Sequence, residues 1–212
     1  LYNIGAYPEY HIKSKTFIAG YESQTEFTED QPRIFTKPGD IRVDLPVWFG
    51  CSSAAKKVVI VGMEPRDTDK KFGLLNIERV GKYVFATPFA LERTKGPYHS
   101  AFQSVFNSEQ PFVYFTDVVK TFQVSDGGKS ADDKNARHLF QEKAQAEQHF
   151  LLEELGFIEP DMVIALGNDA YAFLQQFLGA KYTIQKVRHP SQGGALAARN
   201  QLTDLLGLIS HV

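Results

Sequence analysis

The sequence predicts an α/β fold, three layers of α/β/α around a mostly parallel central sheet of roughly four strands. Two observations predict it. Four short apolar runs, Val58–Val61, Phe112–Thr116, Met162–Leu166 and Tyr182–Val187, are β-branched or aromatic, and each stops at turn or polar residues. Segments with helical spacing of apolar residues fall between them. Strands that alternate with helices pair in parallel, because each crossover helix returns the chain to the same end of the sheet and covers one of its faces.

In chain order, the first 50 residues are broken by Pro8, Pro32, Pro38 and Pro46 and read as an N-terminal extension packed on a single domain, residues 1–212. Two of the four strands follow. Residues 123–135 (QVSDGGKSADDKN) are polar and glycine-containing, which predicts a surface loop. Ala136–Leu155 carries Leu139, Phe140, Ala144, Leu151, Leu152 and Leu155 at helical intervals. The third strand precedes a helix over Asp169–Leu178, and the fourth precedes one over Ala195–Ile209 with Leu196, Leu202, Leu205, Leu206 and Ile209. No internal repeat is visible.

Composition narrows the chemistry. The chain has 212 residues, 43% of them hydrophobic, and a formal charge of −2 from 23 Lys plus Arg against 25 Asp plus Glu. A chain of this size buries roughly 70% of its unfolded surface, enough for one core without a covalent staple. Cys51 is the one cysteine, so an internal disulfide, a four-thiolate iron–sulfur cluster and a Cys-rich zinc site lack their ligands. The six histidines show no HExxH or H-x3-H spacing, so no metal site is expected. No GxGxxG or GxxxxGK[ST] follows a strand, which removes the usual phosphate cradle of dinucleotide and triphosphate sites, and no GxSxG marks a hydrolase nucleophile. No cofactor is therefore expected. Leu1–Tyr10 has neither the basic start nor the apolar core of a signal peptide, and no apolar run approaches the ~20 residues of a membrane span. An intracellular, cytoplasmic setting is the expectation, with no membrane partner and a monomeric state.

In open α/β sheets, ligands bind at the carboxyl ends of the strands. Those ends here are residues 62–67 (GMEPRD), Asp117, Gly167-Asn168, and residues 189–194 (HPSQGG). Ser191 to Gly194 precede a helix start, where unpaired backbone amides attract a phosphate and small residues permit close approach. Capping of that helix by Ser191 accounts for the same residues without a ligand. Ala170–Thr203 contains no acidic residue but holds Lys181, Lys186, Arg188 and Arg199, a local basic edge within a chain of slightly negative charge.

Taken in order, VVIVGMEP (58–65), VYFTDVVK (113–120), DMVIALGNDAYAFL (161–174) and VRHPS (187–191) resemble the uracil-DNA glycosylase superfamily over roughly residues 56–206. The resemblance implies a DNA-repair hydrolase that flips a damaged or deaminated base out of DNA and cleaves its N-glycosidic bond without metal or nucleotide cofactor. Such cleavage develops positive charge on the sugar and negative charge on the departing base, so the site needs a water-orienting anion on one side and a donor on the other. The carry-over assigns the first role to Glu64, in the position of the water-positioning aspartate of the best-known branch, and the second to His189. Gly62, Met63 and Pro65 would shape the first motif, and Ser191 would border the substrate. Arg188, Gln192, Gly193, Gly194 and Leu196 would form the loop that enters DNA, with Leu196 as apolar wedge. A second outcome of the same resemblance is a nucleobase- or nucleic-acid-binding module of weak or lost activity.

Three departures from the family pattern matter. The branches whose VYxTNVVK strand is most similar carry four cluster-binding cysteines, and Thr121 stands where one would follow the lysine, so the resemblance implies a clusterless relative. The asparagine that reads uracil is replaced by Asp117. An amide offers a donor and an acceptor, whereas an ionised carboxylate only accepts; an ionised Asp117 suits a base presenting donors, and a protonated one can still read uracil. Glu64 and Asp117 at neighbouring strand ends should repel and raise one pKa. Finally, the aromatic that stacks on the flipped base has no counterpart at Asn76 or Ile77, which leaves Phe72 and Phe89 as substitutes. Pro97-Tyr98-His99 looks like a fragment of the first motif but lacks the preceding strand and is set aside.

Overall fold

The computed structural model describes residues 3–4, 41–44, 46–50, 54, 56–64, 78–80, 83–86, 89, 96–106, 111–123, 134–191 and 193–207. Its centre is the predicted set of parallel strands. β4 (Lys57–Gly62), β7 (Phe112–Asp117), β9 (Met162–Leu166) and β10 (Ile184–Val187) pair in parallel in the order β7-β4-β9-β10. Two further strands widen this core to six. β3 (Val47–Phe49) pairs antiparallel with β7, and β1 (Asn3–Ile4) pairs antiparallel with β3. Part of the proline-broken first 50 residues is thus built into the sheet.

The strands alternate between two cores because successive side chains point to opposite faces. Val59, Val61, Tyr114, Val163 and Ala165 face Phe140, Ala144, Leu151, Leu155 and Ile158 of α2 (Lys134–Ile158) and Ala170, Phe173, Leu174 and Leu178 of α3 (Gly167–Leu178). Val58, Ile60, Val113, Phe115, Ile164, Leu166 and Val187 face Ala101, Phe102 and Val105 of α1 (Pro97–Phe106) and Ala198, Leu202 and Leu206 of α4 (Ala195–Leu206). The three-layer α/β/α architecture follows.

Several elements differ from their predicted bounds. The helix expected over Ala195–Ile209 stops at Leu206, because Gly207 takes a left-handed conformation (φ 65°) and its amide turns back onto the last helical carbonyls. The strand expected from Tyr182 starts at Ile184. The predicted surface loop contributes a strand residue at one end and α2 at the other, with 124–133 outside the described residues. A second sheet, absent from the prediction, joins β2 (Ile41–Asp44), β5 (Glu78–Val80), β6 (Tyr83–Ala86) and β8 (Thr121–Gln123) in the order β5-β6-β2-β8. Its strands are three or four residues long, too short to show a period. β8 follows β7 after three residues, so this sheet abuts the carboxyl end of the main one. Among the described residues, no helix is long and apolar enough to cross a membrane.

Candidate active site

The carboxyl ends of the four parallel strands converge on the face covered by α1 and α4. Gly62 and Asp117 are register partners at the ends of β4 and β7. The ladder continues beyond them, since the Val118 amide donates to the Gly62 carbonyl (3.0 Å) and the Val119 amide to that of Met63 (2.9 Å). Gly62 must be glycine: a Cβ there would collide with the Phe89 ring and with Asp117 Oδ1. Gly167, at the end of β9 with φ 86°, lies under His189, whose Cβ would sit 3.3 Å from a side chain at that position. Phe89 itself adopts φ 57°, a left-handed conformation that costs a non-glycine residue roughly 1–3 kcal/mol. The surrounding packing holds it there. Its ring stacks on Tyr98 (centroids 5.5 Å apart, planes 18°) and meets Phe102 and Phe115.

Asp117 is buried, and neither carboxyl oxygen has a hydrogen-bond partner. Burial is the largest influence on its pKa, followed by the charge of Asp44; Lys120 opposes them, and Glu64 and Glu154 add to the rise, leaving it well above the usual carboxylate range. The repulsion expected between Glu64 and Asp117 is therefore present but secondary. Asp44, on the second sheet and outside every motif, is the stronger neighbour.

Behind Asp117, on the opposite face of the sheet, lies a buried ionic cluster. Lys120 Nζ is 3.2 Å from Asp44 Oδ2 and 2.8 and 2.9 Å from the two Glu154 oxygens, and it also bonds Thr116 Oγ1. Thr116 Oγ1 lies 2.9 Å from Asp44 Oδ2 and 2.8 Å from Glu154 Oε2. The Asp117 amide donates to Asp44 Oδ2 at 3.0 Å, so the cluster fixes the backbone of the site. Burial pushes Asp44 up to about 6 against the pull of Lys120. For Lys120, burial works against the ammonium, but Glu154 and Asp44 outweigh it and raise its pKa.

His189 is partly buried, and burial lowers its pKa. Burial thus favours the neutral imidazole. The Ser191 amide donates to Nδ1 (3.3 Å), and Ser191 Oγ lies 2.6 Å from the same nitrogen. An acceptor at Nδ1 places the ring proton on Nε2. That nitrogen faces Tyr98 Oη at 3.4 Å, and the two rings meet edge-on at 84°. Burial, with the charge of Asp117 adding to it, pushes the Tyr98 phenol up, so it keeps its proton.

A model of the uracil DNA glycosylase superfamily matches residues 49–204, from β3 to the last turn of α4. The chain belongs to that superfamily. No curated protein sequence matches it. Of the candidates in this member of the uracil DNA glycosylase superfamily, the described residues Gly62, Glu64, Asp117 and His189 all lie at the carboxyl ends of the parallel strands. Met63 packs against the core on the α2–α3 face. Pro65, Phe72 and Gln192 lie outside the described residues.

Tyr98, set aside in the sequence, is the contact that joins the halves of the site. Pro97 opens α1, where its fixed φ and missing amide suit a first helical turn, and the next residue reaches both Phe89 and His189. The signal available was the aromatic shortage after the first motif; Tyr98 lies some thirty residues beyond that motif. Ser191 does not cap α4: the N-cap is Gly194, without a side-chain cap, and Ser191 is spent on His189. A Cβ on Gly194 would run into the His189 carbonyl, so that glycine serves the tight turn after the histidine. Gly193 (φ 78°) and Arg188 are exposed, and Leu196 is 59% exposed on the first turn of α4. Among the described residues, no group of three or more His, Cys, Asp or Glu side chains is arranged to hold a metal ion.

Proposed function

We propose that this member of the superfamily is a monofunctional DNA glycosylase that hydrolyses the N-glycosidic bond of a flipped, damaged or deaminated base. The observation that carries the reading is the joining of Asp117, Phe89, Tyr98 and His189 at the ends of parallel strands. In this mechanism the base leaves the stack and lies against the Tyr98–Phe89 aromatic wall. Asp117 reads its edge. The Nε2 proton of neutral His189 donates to a base carbonyl as negative charge grows there, which lowers the barrier because the bond strengthens in the transition state. Glu64, after β4, orients the attacking water and offsets the positive charge on the sugar. The loop over 188–196 contacts DNA through Arg188 and the backbone of Gln192, Gly193 and Gly194, and Leu196 fills the space that the base leaves.

The test is incubation with DNA carrying uracil, hypoxanthine, xanthine or a mismatch, followed by alkaline cleavage of abasic sites. Glu64→Gln should lower the rate by about 10²–10⁴-fold, the usual contribution of a positioned acid or base. Absence of cleavage on every substrate, or a Glu64→Gln variant as fast as the parent, would sink the reading. One observation favours the binding-module alternative: Asp117 stands where the resemblance expects an amide. Retention of base-containing DNA that survives His189→Ala, with no turnover, would select that alternative.

A further inference from the structure

Asp117 combines features that an ordinary buried carboxylate lacks. It is fully buried, both oxygens are without partners, and the Phe89 ring and Asp117 Oδ1 both crowd the space over Gly62. The one nearby ammonium, Lys120, is spent on Asp44, Glu154 and Thr116 on the other face of the sheet. An ionised carboxylate in such a place has lost its water and gained no donor, a cost that a protein avoids by keeping the group neutral.

We infer that Asp117 meets the base as a neutral carboxylic acid, whose single O–H makes excision depend on the protonation state of this side chain. This inference rests on the glycosylase reading above. The acid offers one O–H donor and one C=O acceptor side by side. Its O–H donates to the base carbonyl while its C=O accepts the ring N–H. Uracil, hypoxanthine and xanthine present that edge. Cytosine presents an amino group beside a ring acceptor, which a neutral acid can also meet. Negative charge passing to the base accumulates in part on the atom that accepts from Asp117, the carbonyl oxygen of uracil or the ring nitrogen of cytosine, so the Asp117 O–H bond strengthens as the glycosidic bond breaks. The residue thereby supplies what an asparagine supplies, with one difference. An amide keeps its donor at every pH, whereas the acid loses it on ionisation.

The charges facing Asp117 come from every neighbouring element: Asp44 at the end of β2, Glu154 of α2 and Glu64 after β4 oppose ionisation, Lys120 after β7 favours it, and Tyr98 of α1 stays neutral. Three carboxylates against one ammonium point the same way as burial.

The deciding experiment is single-turnover excision from uracil-, hypoxanthine- and cytosine-containing oligonucleotides across a pH series, using the parent, Asp117→Asn and Asp117→Ala. The parent should excise the two oxo bases, with a rate that falls about tenfold per pH unit once Asp117 ionises. Asp117→Asn, with a permanent donor, should excise uracil without that decline, and Asp117→Ala should lose it at all pH values. Identical pH profiles for the parent and Asp117→Asn would overturn the assignment while leaving the glycosylase reading intact. No excision by any variant at any pH would instead count against that reading. A second measurement does not depend on turnover: carbon-13 NMR of aspartate-labelled protein at pH 7.5 should show a neutral carboxyl resonance that vanishes in Asp117→Asn. An ionised shift for Asp117 at that pH overturns the inference whatever the activity.

Discussion

The imidazole of His189 holds its proton on Nε2 because both groups of Ser191 address the other nitrogen, the amide at 3.3 Å and the hydroxyl at 2.6 Å. Its usefulness to a departing base depends on that assignment. Ser191→Ala leaves the amide in place and removes the hydroxyl, so the ring is held less firmly in the reactive tautomer. The expected result is a kcat lower by about 2- to 10-fold, equivalent to the ~0.5–1.5 kcal/mol of one neutral hydrogen bond, with KM little changed. A drop confined to KM, measured by steady-state excision, would mean that Ser191 touches substrate instead of positioning the histidine. The local sequence, residues 189–194 (HPSQGG), was legible as a strand end and turn before a helix, but the hydroxyl's partner was not. Pattern alone offers helix capping and histidine orientation equally, and only the placement of the N-cap at Gly194 separates them.

At the scale of elements, β7 is held from both sides by side chains of distant origin. Glu154 of α2 and Asp44 of β2 meet Lys120 and Thr116, while Glu147 of α2 accepts the amides of Lys120 (2.6 Å) and Thr121 (3.1 Å) and the Thr121 hydroxyl (2.5 Å). Thr121 occupies the position where the similar branches carry a cluster cysteine. Here that corner is fastened by a carboxylate. Removing the ammonium leaves Asp44 and Glu154 buried without their cation, so Lys120→Met should destabilise the fold by about 3–5 kcal/mol in urea unfolding. A loss under about 1 kcal/mol would show the cluster to be well hydrated. The same cluster sets a pH dependence. Asp44 is raised to about 6, so the folded state holds its proton more tightly than the unfolded state does. Its contribution to stability is full below the unfolded value of 3.8 and is lost as pH rises through about 6. Tm should therefore fall between about pH 4 and pH 6, and Asp44→Asn should flatten that slope. The apolar runs of β4, β7 and β9 were readable because each is a continuous buried strand. Asp44 was not, since its partner Thr116 lies 72 residues away and nothing local marks a carboxylate that will be buried.

At the scale of the whole molecule, the proposed catalytic groups and the loop proposed to contact DNA sit at the same edge of the sheet, because parallel strands deliver all their carboxyl ends together. The net charge of −2 is distributed unevenly: the acid-free stretch 170–203 includes β10, the His189 loop and most of α4. This distribution was visible in sequence, and Phe89 was named there as a substitute aromatic, whereas its stacking on Tyr98 was not, because the pair is assembled from α1 and from a residue whose left-handed backbone no motif announces. If this edge binds DNA, affinity should fall as salt rises, and Arg188→Ala should lower the slope of log affinity against log salt by about 0.7–0.9 for one lost phosphate contact. Leu196 should behave differently. It is 59% exposed on the first turn of α4, and an apolar side chain so placed gains burial only when something apolar comes to it. In a duplex, the gap left by the extruded base provides that surface, and filling it offsets the cost of unstacking. In a single strand no such gap needs holding open. Leu196→Ala should therefore reduce kcat/KM on double-stranded substrate by about 10-fold or more, given the roughly 1.5–3 kcal/mol of a buried leucine, with little effect on the single-stranded oligonucleotide. Equal losses on both substrates would assign Leu196 to general binding, and no loss on either would remove the wedge from the mechanism.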